Sequence, residues 1–407
     1  MKVKKYSRSE PEFIIFKYLW FLIILPKTLQ FFLLVAILLY CLYRGKRLKL
    51  SKTMVPFVLG VCVQIIAITF QLISNNVDTD RLMASLNTSL IWIVGAFYFS
   101  LYSQSKYSQD SIIRLKKYVL YNFIVIILLY ILSKIYKGTY INILGIQLAL
   151  RRNDYISGSL GSRFCALMET PLASSHFFLL SIPIIIYHST KYKRRHIVEI
   201  VIVIGAFISC AAAHSRIGIL ISLVALIPYT FSLLEDYGVK KNLKIIVIGI
   251  IATVGLIYIL FEFGYLYKTI ASFFLSREGS NNARFQVYKL SIEKAWKESP
   301  VIGIGIKYMM NNYIPFGSHS TYVGFFYKTG FLGCGLFLWG FYNVISRVKN
   351  TTRHFTHGME LFVAFLIYFA FLVFADIDGI DWVMACLFSM WGLLSNMNNI
   401  PSKPIRR

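Results

Sequence analysis

Long apolar runs separated by short polar stretches make up most of this chain. A helix crossing the hydrocarbon core of a bilayer needs about 20 predominantly apolar residues, and the runs meet that length. The alternative, a membrane barrel, requires alternating strands of about ten residues, and no such alternation is present. The pattern predicts about 12 helical spans near 12–25, 28–44, 53–73, 86–103, 118–136, 166–187, 197–213, 217–234, 244–263, 321–344, 359–376 and 382–396. Lys17 and Pro26 confine the first two to short segments. The fold class is therefore an all-α integral membrane protein, with residues 1–407 as a single polytopic domain.

Composition sharpens this reading. Apolar residues make up 57% of the chain against 15% charged, more apolar surface than a soluble domain can hide. The formal net charge of +25 would point to nucleic acid in a soluble protein. Here it sorts by loop. Alternate connections carry Arg44, Lys46, Arg47 and Lys49, then Arg114, Lys116 and Lys117, then Lys191, Lys193, Arg194 and Arg195, then Lys240, Lys241 and Lys244. With both termini and the segment around Arg347 and Lys349, these hold more than half of the 43 Lys and Arg residues. Positive loops stay in the cytoplasm, so both termini are expected inside, and no nucleic-acid partner is implied. The N-terminal apolar run has no small-residue cleavage site and reads as an anchor. The six cysteines are scattered, with no spacing for a metal site or a disulfide framework.

Two outer segments are long, 137–165 and 264–320, and connections of that length are usually functional or disordered. The second contains an amphipathic stretch from Phe285 to Trp296, suited to the membrane interface, preceded by Gly279-Ser280-Asn281-Asn282 as a helix start. Against the charge rule, Arg163, Arg216, Arg277 and Arg284 fall in or beside the outer set. Arg216, in Ala213-His214-Ser215-Arg216, is either an interfacial residue reaching for water or a phosphate ligand, since guanidinium pairs well with phosphate oxygens. Arg277 and Arg284 are either solvated loop charges or part of the same site. Ser299-Pro300-Val301-Ile302-Gly303-Ile304-Gly305 is rich in turn formers. His319, in Gly317-Ser318-His319-Ser320-Thr321-Tyr322, is a general base, a proton shuttle or an interfacial polar residue. Glu169, between Arg163 and Pro171, enters an apolar run either as a functional carboxylate or as a helix N-terminal one.

The order of these clusters carries more than any one of them. Arg163, Glu169 and Pro171, then Ser215-Arg216, then Arg284 with Pro300, Gly303 and Gly305, then His319 and Tyr322 before Gly330 and Gly333, resembles the O-antigen ligase/polymerase superfamily over residues 160–335. That superfamily includes Wzy-type polysaccharide repeat-unit polymerases, which this chain resembles most, and WaaL-type ligases. The resemblance implies a GT-C-like bundle and a metal-independent glycosyltransferase with no cofactor. Its donor would be an undecaprenyl-diphosphate-linked oligosaccharide, used at the outer face of a bacterial cytoplasmic membrane. The product would be O-antigen, capsule or exopolysaccharide. By the same analogy Arg216 and Arg284 hold the diphosphate and stabilise the leaving group, and His319 positions or deprotonates the acceptor hydroxyl. Arg163, Glu169, Arg277 and Tyr322 help position substrate. Membrane lipid, a chain-length regulator and a flippase are the partners that such a pathway implies.

Two positions depart from the family pattern. Ser320 and Lys328 stand where the family often has asparagine and an acidic residue. Asp376-Ile377-Asp378-Gly379-Ile380-Asp381 invites a metal reading, but the charge-derived orientation puts it outside, where a polar cap on a helical hairpin is the expected role and no metal is assigned. A ligase with another acceptor remains the nearest alternative. A lipid-linked-oligosaccharide flippase would instead distribute its charges along a path through the spans.

Overall fold

The computed structural model describes residues 13–46, 49–74, 77–143, 145–156, 159–187, 196–213, 215–236, 278–311 and 314–397. The expected span 244–263 and Arg277 lie outside them. Among the described residues five helices are long and apolar enough to cross a membrane: Lys52–Ser74, Thr79–Gln104, Gln109–Ile135, Ile217–Asp236 and Thr321–Thr352. Shorter apolar helices run Lys27–Tyr43, Ala173–Ile186, Ile197–Ala211, Gly358–Phe371 and Asp381–Leu394.

In chain order, α1 (Ile14–Lys17) and α2 (Leu19–Ile24) replace the first expected span with two short pieces broken at Tyr18. Then come α3 (Lys27–Tyr43), a 3-10 turn (Lys52–Met54) leading into α4 (Val55–Ser74), α5 (Thr79–Gln104) and α6 (Gln109–Ile135). Both α5 and α6 begin a full turn or more before their apolar runs. Asp78 accepts from Asp80 N to start α5, and a reciprocal Ser108–Ser111 capping box starts α6. The expected outer loop 137–165 folds into two antiparallel hairpins, β1 (Tyr140–Ile143) with β2 (Ile146–Ala149) and β3 (Arg151–Ile156) with β4 (Ser159–Phe164). After α7 (Ala173–Ile186), α8 (His196–Ala211) and α9 (Arg216–Asp236), the chain continues with α10 (Glu278–Glu298) and a small hairpin of β5 (Met309–Asn311) and β6 (Ile314–Pro315). The last helices are α11 (Thr321–Thr352), α12 (Gly358–Phe371) and α13 (Asp381–Leu394).

Burial explains the short helices. Every residue of α7 and α13 is buried. Fourteen residues rise roughly 21 Å, less than the hydrocarbon thickness. Such helices can stop short only because protein, not lipid, surrounds their ends. α13 packs most extensively on α5, α11 on α4, and α12 on α7 and α9. Aromatic rings fill the centre: Phe57, Trp92, Phe325, Phe337, Phe341, Phe388 and Trp391 interlock, with Phe325 stacked on Phe337 at 4.1 Å.

The connections sort to two ends, as the charge pattern predicts. At one end Lys116 bridges Glu199 (2.8 Å), Arg347 reaches the Ser395 carbonyl, and His357 meets Glu235 and Asp236. At the other, Arg163 donates to the Ala213 carbonyl (2.8 Å), Tyr308 to Gln71 (3.1 Å) and Thr321 to the Ala375 carbonyl (2.7 Å). This second end gathers the loops expected outside.

Candidate functional site

The site is organised by a break in α11. Gly330 has φ 60 and ψ −160, a conformation open essentially to glycine alone. The break strands backbone groups that an intact helix would pair. The Tyr327 and Lys328 carbonyls instead accept from the amides of Ile304 and Gly305 (2.9 Å each), and the Phe331 and Leu332 amides donate to the Pro300 and Val301 carbonyls (2.8 and 3.0 Å). The turn-rich segment 299–305 therefore supplies the missing helical partners. Gly303 (φ 72) lies so close that an added Cβ would overlap the Thr329 amide nitrogen. This docking fixes Lys307, two residues beyond Gly305, beside the turn between α12 and α13.

Lys307 enters an ion network there. Its Nζ lies 2.7 Å from Asp376 and 2.8 Å from Asp378, and Lys328 Nζ lies 2.7 Å from the same Asp378 oxygen. Trp92 Nε1 donates to the other Asp378 oxygen (3.3 Å). Burial opposes ionisation, yet the Lys307 and Lys328 ammonium groups hold the Asp378 carboxyl below the usual carboxylate range. In turn, burial works against the Lys307 charge, but Asp376 and Asp378 raise its pKa above the ordinary lysine value. Burial raises the Asp376 carboxyl against the pull of Lys307, so Asp378, held by both lysines, is the firmer anion of the pair.

His319 sits in the left-handed region (φ 66), just before Ser320, whose side chain caps α11 by accepting from Val323 N. Two bonds from α10 hold this turn: Tyr288 donates to the His319 carbonyl (2.9 Å), and Gly317 N donates to Ser291 Oγ (2.8 Å). The buried face of α10 is narrow, Val287, Ser291 and Ala295, with Arg284 and Tyr288 beside it at helical spacing. Phe285, Leu290, Ile292 and Trp296 are exposed, so the apolar residues face outward and the small ones inward.

The imidazole of His319 has no hydrogen-bond partner among the described residues. Burial, then the positive charges of Arg284 and Lys307, lower its pKa to about 4, so it is neutral at pH 7. Arg284 is half-buried and has no carboxylate partner among the described residues. Burial lowers its pKa, Tyr288 opposes this, and the charge of Arg163 adds to the lowering. The structure thus brings Arg163, Arg284, His319 and Lys307 into one electrostatic neighbourhood.

The remaining predicted residues are placed as follows. Glu169 lies ahead of α7 rather than inside it, accepting from Gln30 Nε2 and Trp382 Nε1 (3.0 Å each). Asp381 is fully buried near Asn87, Lys27 and Glu169, which puts a carboxylate lobe on the far side of the 376–381 turn. The Tyr322 hydroxyl donates to the Phe369 carbonyl (3.1 Å), which turns it into the bundle. Arg216 is the first residue of α9, at the same end as the site, and its side chain lies outside what is described. Lys307 and Tyr288 escaped the sequence reading. One signal was present: between Glu298 and Lys328, Lys307 is the sole Lys, Arg, Asp or Glu, and beyond Leu361 the only carboxylates are Asp376, Asp378 and Asp381. Isolated opposite charges in apolar sequence find each other.

These features define a polytopic helical membrane protein with, recessed at one end, a neutral histidine and an arginine that has no carboxylate partner among the described residues, an arrangement that can hold an anionic group beside a proton acceptor. Residues 200–338, about a third of the chain, match the family described as O-antigen ligase. The match runs from α8 into α11 and supports the O-antigen ligase/polymerase superfamily read from the motifs, and with it glycan transfer of that general kind. No curated protein gives a significant match to the chain.

Proposed function

We propose that this protein polymerises undecaprenyl-diphosphate-linked oligosaccharide repeats at the outer face of the bacterial inner membrane. The observation that carries the reading is the neighbourhood of half-buried Arg284, without a carboxylate partner among the described residues, and neutral His319 inside the family-matched segment. In the proposed step the terminal sugar hydroxyl of one lipid-linked unit attacks the anomeric carbon of the growing chain. The new glycosidic C–O bond forms as the bond from that carbon to the diphosphate oxygen breaks. His319 takes the hydroxyl proton, and Arg284, with Arg216 and Arg163, receives the negative charge that develops on the departing undecaprenyl diphosphate. No metal is required in this scheme. Attack in line inverts the anomeric configuration, and retained configuration in the product would exclude a single displacement.

The family description itself favours a second reading, ligation of a finished chain to a different acceptor. Product analysis separates the two in a strain lacking the protein, complemented by wild type or by Arg284→Ala and His319→Ala at equal membrane abundance. Accumulation of single lipid-linked repeats without a ladder supports polymerisation. Long carrier-linked chains that never reach their final acceptor point to ligation. Repeats retained on the cytoplasmic leaflet would replace both with a flippase.

A further inference from the structure

At the end of the bundle opposite His319, a cavity of about 630 Å3 opens between the Lys52–Met54 turn, the last turns of α11 and the end of α13. Its α11 wall consists of Thr351 and a row of four residues, Asn343, Ser346, Arg347 and Asn350. These recur at i, i+3, i+4 and i+7, which makes one polar stripe on a helix whose preceding turns are apolar. A polar stripe facing lipid is costly, so its presence near a helix end calls for water or a ligand.

The guanidinium of Arg347 is fixed but not neutralised. Its Nε donates to the Ser395 carbonyl (3.2 Å), and its Nη1 reaches Thr53 Oγ1 (3.3 Å) and Ser51 Oγ (3.5 Å). Among the described residues no Asp or Glu lines the cavity, and Lys52 adds a second positive charge to the wall. Ser395, only 2% exposed, also lines it, and its hydroxyl has no hydrogen-bond partner among the described residues. An orphaned buried hydroxyl beside a preorganised guanidinium is a mismatch that an anion would repair.

We propose that this cavity binds a phosphate group of net negative charge, unlike zwitterionic phosphocholine, with Arg347 and Lys52 as its charged ligands and the Ser395 hydroxyl as a further donor. Guanidinium presents planar paired donors that match phosphate oxygens. The level of the cavity fits a phospholipid headgroup: Trp339 and Tyr342, one to two turns earlier on α11, are 54% and 68% exposed, as aromatic side chains are at a membrane–water boundary. Free phosphate offers the same chemistry from solution.

The test uses the purified full-length protein, with native mass spectrometry after exchange into phosphatidylcholine containing phosphatidylglycerol. In parallel, thermal shift is measured with inorganic phosphate in phosphatidylcholine alone. Wild type is expected to retain phosphatidylglycerol about tenfold over phosphatidylcholine, with Arg347→Gln and Lys52→Gln falling toward parity and Arg347→Lys between. A response to phosphatidylglycerol without one to inorganic phosphate identifies the lipid headgroup as the source. A shift with inorganic phosphate alone, lost in the variants, identifies the soluble ion. Equal retention and equal shifts in wild type and Arg347→Gln, or no response by wild type to either probe, overturn the proposal. Should Arg347→Gln fail to fold, exposed Lys52→Gln decides by the same criteria.

Discussion

Two histidines, one at each end of the bundle, share a backbone conformation and little else. His319 (φ 66) and His357 (φ 61) each occupy the left-handed region within two residues of the start of a helix. His357 is clasped on both ring nitrogens, 3.0 Å from Glu235 and 2.8 Å from Asp236. Burial lowers its proton affinity, yet those carboxylates overcome the penalty and raise its pKa. His319 has no such partner, and burial with two nearby cations depresses it to about 4. A histidine wrapped in carboxylates has its charged form favoured, whereas one kept neutral by burial and cations is poised to accept a proton. The same contrast separates the paired lysines of the 376–378 turn from unpaired Arg284. Charges that complete each other hold the fold, and charges left open await a ligand.

The largest effect that can break this contrast is His319→Ala. Loss of an acid–base group removes about 10²–10⁴-fold of rate, with membrane abundance and melting temperature nearly unchanged. Polymer ladder formation per folded molecule is the measurement. Rates within a fewfold of wild type would make His319 a bystander. In wild type the acidic limb of activity is expected near pH 4, not near the ordinary histidine value of about 6.5, because the neutral imidazole persists between them.

Asp378→Asn is the counterpart among the paired groups. It leaves Lys328 without its carboxylate and Lys307 with only Asp376, and unpairing a buried charge costs about 3–5 kcal/mol. Thermal unfolding in detergent reads the loss. Adding Lys328→Met, which removes the stranded charge, is expected to recover part of it. A full-strength melting curve for Asp378→Asn alone would show that the network is solvated and structurally idle.

How much of this was legible in the sequence follows from the range of each interaction. The apolar runs gave the bundle, and the alternation of cations sorted its ends, because both signals are local and repeated. Helix starts were missed where polar caps preceded the apolar residues, at Asp78 and Ser108. The 137–165 hairpins were missed because their strands are short and carry no strong alternation. Arg284 and His319 stood out as ionisable groups beside apolar runs. Lys307 did not, because its role depends on a glycine break in α11 that is repaired by residues 300–305. The Asp376–Asp378 pair could be read as metal ligands or as a cap until the lysines that occupy it were located.

His357→Gln probes the other side of the comparison at smaller scale. It leaves Asp236 buried with a weaker partner, and a loss of about 1–3 kcal/mol is expected, with activity per folded molecule retained. The pH dependence fixes the sign. Because the folded-state pKa is raised, the stabilisation is fully present below the unfolded value of about 6.5 and fades as pH rises through the folded value. The melting difference between wild type and variant is therefore greatest in acid. A difference that instead widens at alkaline pH would mean that His357 is held neutral, and the contrast with His319 would collapse.

The smallest expected effect is the most discriminating. Tyr288→Phe keeps the ring on α10 and removes the hydroxyl that donates to the His319 carbonyl, a bond worth about 0.5–1.5 kcal/mol. Stability should fall within that range. If His319 acts only as an interfacial polar residue, activity per folded molecule should not change. If its imidazole must be aimed at an acceptor hydroxyl, loosening its backbone should lower the rate several-fold while leaving donor binding at Arg284 intact, a split between kcat and KM. Tyr288 therefore converts a question about one histidine's chemistry into a measurement on a residue that never touches the reacting atoms.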